Sequence, residues 1–366
     1  MEPIRILHMI GCLEIGGSQT MVINLYKMMD RSKIQFDFIV DRTDRMQLAD
    51  TVQSLGARIY TMPSFVGSNI AQVRQAWDTF FTEHPEYNIL HSHVRSYASV
   101  YLPIAKKHGV KTIIHSHATS NGSGPKALVK KLLQYPLQYQ ADYFFSCSEQ
   151  AGLWLFGKKI VSGSRHHILK NAIDAKAYRF DPAVRAAYIQ QLSLEGKRVY
   201  AHVGRFHPAK NHSFLLRVFR KICDTDPNAL LLLIGDGELR ENIEQEIEAL
   251  NLRPYVRLLG IRNDVAGVLQ AADVFLFPSH WEGLGIVAVE AQAAGLPCIC
   301  SDQVPPLVKV MDSCCFIPLD EETWVAAAMS ATPDRQDSYD QIVAAGYDVH
   351  ATAQWLYEFY SKLWRN

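Results

Sequence analysis

VFLFPSHWEGLGIVAVEAQAAGLPCICS, residues 274–301, reads as strand, loop, helix, strand. VFLFP is a short β-favouring run ended by Pro278 and Ser279, the punctuation of a strand end. GIVAVEAQAAG is apolar throughout and reads as a buried helix ending at Gly295. PCICS, residues 297–301, is a second short apolar run. Continuous apolar strands joined through a helix predict a parallel sheet covered on both faces. Two carboxylates bracket the apolar run: Glu282 in the loop beyond the strand, and Glu290 about one turn into the helix.

The same alternation extends over most of the chain. In the first half, strands are predicted at 4–10, 36–40, 58–62, 88–93, 111–117, 143–148 and 166–171, with helix-like windows such as 18–30 and 71–84 between them. A second series has strands at 199–204, 229–235, 256–260, 274–278, 297–301 and 314–318. Residues 172–197 contain no clear strand and read as a connection. The fold class expected is α/β, with two Rossmann-like, doubly wound domains facing each other across a cleft. The expected boundaries are 1–175 for an N-terminal domain, 176–197 for a linker, 198–346 for a C-terminal domain, and 347–366 for an aromatic-rich helix packing back toward the N-terminal domain.

The 366 residues suit two domains of ordinary size. Lys+Arg and Asp+Glu are 37 each, so net charge alone indicates no partner. The halves differ, however. Residues 1–180 carry 21 basic and 13 acidic side chains, and residues 181–366 carry 16 and 24. A basic half points to an anionic surface or phosphates. Seven cysteines without a C-x-x-C pair fit a reducing cytoplasm. No window approaches the roughly 18–20 apolar residues of a membrane span, so membrane contact is expected to be peripheral. Nothing resembles a nucleic-acid module.

In open α/β sheets, ligands bind beyond the carboxyl ends of the strands. The loops there carry the candidate chemistry. After the first strand, Gly16 and Gly17 precede Ser18, which is expected to cap the next helix. Glycines there let the backbone approach an anion at a helix N-terminus. The stretch is not G-x-G-x-x-G, which argues against a dinucleotide. HVGRFHPAKNH, residues 202–212, sets Arg205 and Lys210 after a strand. Two cations beside free N–H groups suit a diphosphate. Glu282 and Glu290 can each accept two sugar hydroxyls.

Two H-S-H triplets, His91/His93 and His115/His117, end strands. Alternation puts both histidines of a triplet on one face. The spacing permits a metal, but H-x-H without carboxylates favours substrate contact or core packing. GPKALVKKLLQYPLQYQ, residues 124–140, is basic and amphipathic. Its Lys126, Lys130 and Lys131 could lie on an anionic bilayer. An ordinary surface helix with its stripe in the core gives the same pattern.

G-G-S-Q-T at 16–20, H-V-G-R-F…K-N at 202–211, G-D-G at 235–237 and E-x7-E at 282–290 occur in that order. Together they resemble the retaining GT-B glycosyltransferases of the family-4 type, over essentially the whole chain. H-S-H-A-T-S at 115–120 and K-N-H at 210–212 are similar to bacterial enzymes of exopolysaccharide, capsule or O-antigen assembly. The resemblance implies a nucleotide-diphosphate sugar donor, most commonly a UDP-sugar, and a glycan acceptor, often lipid-linked. It implies that Arg205 and Lys210 bind the diphosphate, with Gly16 and Gly17 close to it. Glu290 would take the ribose, and Glu282 the sugar hydroxyls. Gly283 would lie beside that sugar, with the backbone N–H groups of Leu284, Gly285 and Ile286. The base would lie near Ile261, and His117 would sit beside the reacting carbon. No cofactor and no divalent metal are implied.

Two positions depart from the family pattern. N-A-I-D stands at 171–174 where N-G-V-D is usual, and S-D-Q-V-P-P-L-V-K-V at 301–310 replaces a glycine-rich turn and a glutamate. His117, Glu282, Arg205 and Lys210 are the catalytic candidates, and Glu282 is the one obvious carboxylate nucleophile if retention proceeds as in hydrolases. Attack by the acceptor on the face that the leaving group departs is the expected route. The other readings are a nucleotide-sugar epimerase of the same architecture and a non-catalytic nucleotide-sugar-binding relative.

Overall fold

The computed structural model describes residues 2–14, 16–118, 125–332, 335 and 337–365. The chain divides into two compact units. One comprises residues 1–172 with 349–366, the other residues 173–348.

The first unit is built on a sheet of seven parallel strands: β1 (Ile4–Gly11), β2 (Ile34–Val40), β3 (Ile59–Thr61), β4 (Ile89–Ser92), β5 (Lys111–Ser116), β6 (Tyr143–Ser146) and β7 (His166–Ile168). Their order is β3-β2-β1-β4-β5-β6-β7. Alternation along β1 sends Ile6 and Ile10 into one core, with Phe36 and Phe38, and Leu7 and Met9 into another, with Trp77 and Tyr101. Both faces are therefore buried, which is why the strands read as continuous apolar runs. The terminal helix Val349–Arg365 belongs to this unit. Its Val349, Ala353, Leu356, Tyr360 and Leu363 recur at helical spacing and pack in the Phe36 core.

The second unit holds β8 (Arg198–Val203), β9 (Ala229–Ile234), β10 (Val256–Gly260), β11 (Val274–Phe277), β12 (Cys298–Ser301) and β13 (Cys314–Ile317). They are parallel, in the order β10-β9-β8-β11-β12-β13. The order in which successive strands are added reverses between β8 and β11, and between β1 and β4 in the first unit. Such switch points open a crevice at the carboxyl ends of the strands.

Two expectations need correction, and one of two alternative readings falls. Residues 176–197 are not a bare connection. They carry helices Ala175–Tyr178 and Pro182–Gln191, capped by the side chains of Asp174 and Asp181. Arg185 ties the second of these to the carbonyl oxygens of Gln270 and Ala272 and to the Asp273 carboxylate, inside the second unit. Ser18 is not a helix cap. Gly16, at φ −154°, is the N-cap, and helix Gly17–Met28 starts there with Thr20 N–H donating to the Gly16 carbonyl at 2.8 Å. Ser18 then lies inside the first turn, where its hydroxyl donates to Gln19. Finally, the apolar stripe on helix Pro125–Gln134 is not in the core: Leu128, Val129 and Leu132 are exposed. Among the described residues, no helix is long and apolar enough to cross a membrane.

Candidate functional site

The switch point of the second unit gathers most of the candidate residues. β8 ends in Gly204, Arg205 and a short 3-10 turn, Pro208–Lys210. β11 ends in the loop Ser279–Gly285, which leads into helix Ile286–Ala293. Hydrogen bonds fasten the second loop to the first and to the end of β12. His280 N–H donates to the Ala209 carbonyl at 2.8 Å, and Ser301 Oγ donates to the Ser279 carbonyl at 2.6 Å. Glycines fasten them further. Gly235 has φ +138°, and a Cβ there would fall 2.0 Å from the Gly204 carbonyl oxygen. Only glycine lets the G-D-G turn press the Arg205 loop into place.

Across this crevice Lys210 Nζ donates to Glu282 Oε1 at 2.5 Å, and Ser279 Oγ donates to the same oxygen at 2.7 Å. The pair is largely enclosed, at 16 % and 12 % side-chain exposure, and the ammonium lies 4.9 Å from the Phe277 ring centroid. The Lys210 stem passes over Gly204, where a Cβ would lie 3.1 Å from Cδ and Cε. The anion that this cation needs is thus supplied by the chain itself.

Arg205 is 71 % exposed in its side chain and pairs with Glu238 at 3.1 Å. Exposed pairs of this kind are weak, so the guanidinium can swing to a ligand at small cost. Glu290 hydrogen-bonds Tyr178, and burial pushes its carboxyl up to about 7. Gly283 is exposed, and Gly285 starts the helix at φ +82°, followed by Ile286. Leu284 lies half-buried between the two glycines. Ile261, in the loop after the edge strand β10, is 82 % exposed. A cavity of about 500 Å³ near Gln292, Met311 and Ser313 lies at the amino ends of β12 and β13, away from this chemistry.

The remaining candidates lie in the first unit. Gly16 and Gly17 open the helix after β1, and a Cβ at Gly17 would meet nothing within 4 Å. His117 follows β5 and is partly exposed. Burial lowers it to about 3, helped by the charge of Arg95, so the ring is neutral. Its Nε2 lies 2.8 Å from His93 Nδ1. His8, His91 and His93, and likewise His93, His115 and His117, each bring one ring nitrogen within 4.8 Å of the others. The side chain of Lys126 lies outside the described residues, while Lys130 and Lys131 are exposed.

Three contributors escape a reading of the sequence: Ser279, Tyr178 and His8. Ser279 stands three residues before Glu282, at a strand end, which is a usable signal. Tyr178 acts from a stretch that reads as a connection. His8 joins the histidines because parallel pairing sets it opposite His91.

Residues 15–177 match the Glycosyltransferase Family 4 description, and residues 184–313 match Glycosyl transferases group 1. EpsF of Bacillus subtilis, assigned to the glycosyltransferases, is 33 % identical over 98 % of this chain and 96 % of its own. The UDP-Gal:alpha-D-GlcNAc-diphosphoundecaprenol alpha-1,3-galactosyltransferase of Escherichia coli is 29 % identical over 59 % of this chain and 58 % of its own. In fold, HepE of Anabaena, solved in complex with UDP, superimposes with a TM-score of 0.79 at 16 % identity, over 98 % of this chain and 100 % of its own. The paired parallel sheets, the two family matches and the full-length likeness to EpsF together place this chain in the GT-B glycosyltransferases of group 1 and family 4.

Proposed function

We propose that the chain transfers a sugar from a UDP-sugar to a lipid-linked glycan during assembly of a cell-surface polysaccharide, an exopolysaccharide or capsule. The anomeric configuration is retained and no metal is needed. The work is done in the cytoplasm, against the inner face of the membrane. The observation that carries this reading is the Lys210–Glu282 pair at the switch point, with Arg205 and Glu290 on the same carboxyl side of the sheet. UDP bound to HepE supports the choice of nucleotide. The diphosphoundecaprenol in the name of the Escherichia coli relative supports the acceptor class.

In this mechanism the diphosphate draws Lys210 and Arg205, and Glu290 accepts the ribose hydroxyls beside a base near Ile261. Glu282, freed from Lys210, accepts sugar hydroxyls. The backbone N–H groups at Leu284, Gly285 and Ile286 lie beside that sugar, with Gly16 and Gly17 near the diphosphate and His117 near the anomeric carbon. An acceptor hydroxyl oxygen bonds to that carbon as the bond to the diphosphate oxygen breaks. The acceptor proton passes to the departing phosphate. Charge develops on that oxygen, and fixed cations stabilise it more in the transition state than in the ground state.

Turnover of a UDP-sugar panel with a lipid-linked acceptor tests the reading. Lys210→Ala should lower turnover about 100- to 1,000-fold while circular dichroism stays unchanged, and EDTA should leave turnover intact. Near-normal transfer by Lys210→Ala would sink the diphosphate assignment.

A further inference from the structure

Five imidazoles from β1, β4 and β5 and the loops that follow pack ring against ring in the first unit. Centroids are 5.3 Å apart for His8 and His91, 4.5 Å for His91 and His93, 5.3 Å for His93 and His115, and 3.9 Å for His115 and His117. Three of the rings are joined head to tail. His8 Nδ1 lies 3.0 Å from His93 Nε2, and His93 Nδ1 lies 2.8 Å from His117 Nε2.

A neutral imidazole donates at one nitrogen and accepts at the other. In a head-to-tail chain the tautomer of one ring therefore sets all of them. Two arrangements keep both hydrogen bonds: every ring protonated on Nδ1, or every ring protonated on Nε2. The inner end distinguishes them. His8 Nε2 is buried and has no hydrogen-bond partner among the described residues, and its ring lies 4.2 Å from Phe36 and 5.8 Å from Phe38. Protonation on Nε2 throughout would leave a buried N–H without an acceptor, which proteins avoid more strictly than an unused lone pair. Protonation on Nδ1 throughout leaves only the lone pair.

A cationic chain is opposed by the surroundings. Burial lowers His8 to about 3, and burial together with the neighbouring imidazoles holds His93 well below its ordinary range. A metal on either histidine triad would have to displace the bonds among His8, His93 and His117.

We propose that His8 and His93 are positioning residues that fix His117 as a neutral imidazole protonated on Nδ1, offering that N–H to an oxygen of a bound sugar. The sugar rests on the transferase reading; the tautomer does not. The relay lets a partly exposed ring keep one hydrogen-bonding polarity, set from the core.

Nitrogen-15 histidine spectra of the full chain read the tautomers directly. The expected result is a protonated Nδ1 and a bare Nε2 on His117, unchanged between about pH 6 and pH 8. His93→Gln should shift His117 toward the Nε2–H form of an unconstrained imidazole. It should also lower kcat about tenfold, a loss of roughly 1.4 kcal/mol, with the donor KM within twofold. Three results overturn the proposal: an Nε2-protonated or cationic His117 in the unsubstituted chain, an unchanged His117 tautomer in His93→Gln, or one equivalent of metal held by the histidines. The unsubstituted spectrum decides even if His93→Gln does not fold. A chain without transferase activity that still shows the Nδ1-protonated ring refutes the transferase reading and upholds the relay.

Discussion

The Glu290 carboxylate sits on helix Ile286–Ala293, against Tyr178. Burial raises its carboxyl from 4.5 to about 7, against a lowering by the Tyr178 hydrogen bond. The folded chain then holds this proton more tightly than the unfolded chain. Its contribution to stability is complete below about pH 4.5 and is lost as pH rises through 7. In the proposed ribose role the carboxylate must serve as a double acceptor, so binding should run the other way. UDP affinity should fall by up to about tenfold per pH unit below 7 and level off above it. Titration calorimetry of UDP across that range checks this. Glu290→Gln should bind weakly with a flat pH profile, and a slope surviving in that variant would move the titration to another group. Arg205, Lys210, Glu282 and Glu290 stand out in the sequence because each follows the carboxyl end of a strand. The Lys210–Glu282 bond does not, because 72 residues separate its partners and only the strand order β8-β11 brings them together. Tyr178 stayed hidden for a similar reason: its partner lies in another element.

At the scale of elements, all thirteen described strands were readable, since both sheets are covered on two faces and most strands are separated by helices. Helix starts were less so. Ser18 carries a capping side chain, yet the free backbone of Gly16 starts the helix before it. Least legible was a charged network inside a strand. Asp37, in the middle of the apolar β2, is fully buried and accepts from Arg5 Nε and Nη2 at 2.6 Å each, from Tyr87 at 2.7 Å and from Arg58 N–H at 2.6 Å. It pins β1, β2 and the start of β3 to the turn before β4. Arg5→Met removes the cation and leaves a buried carboxylate, which should cost about 3–5 kcal/mol in urea unfolding. Arg5→Met with Asp37→Leu removes both charges and should recover most of that loss. A single variant within about 1 kcal/mol of the parent would show that the bridge behaves like a surface pair.

For the whole molecule, the basic excess of residues 1–180 is accompanied by an exposed apolar segment. Leu128 and Leu132 stand four apart on helix Pro125–Gln134, on the stripe that a helix normally buries, and Tyr135 and Tyr139 follow across the turn into the short helix Leu137–Gln140. Here they are 62 %, 67 %, 65 % and 70 % exposed, with Val129 beside them at 56 %. Lys130 and Lys131 stand exposed within the same stretch. An apolar stripe flanked by lysines fits an anionic lipid interface. Each lysine adds about 1 kcal/mol near such a surface. Each apolar side chain adds roughly 1 kcal/mol if half of its exposed area enters the lipid. Together these would suffice for reversible binding without a spanning helix. Flotation with vesicles should show binding to phosphatidylglycerol mixtures that weakens with salt, and little binding to phosphatidylcholine alone. Lys130→Glu with Lys131→Glu should remove the salt-sensitive part, and Leu132→Asp should weaken binding at every salt concentration. Equal binding to both lipids would discard the electrostatic half of the argument. Unchanged flotation of Leu132→Asp would discard the stripe, leaving its exposure to be explained by a protein partner.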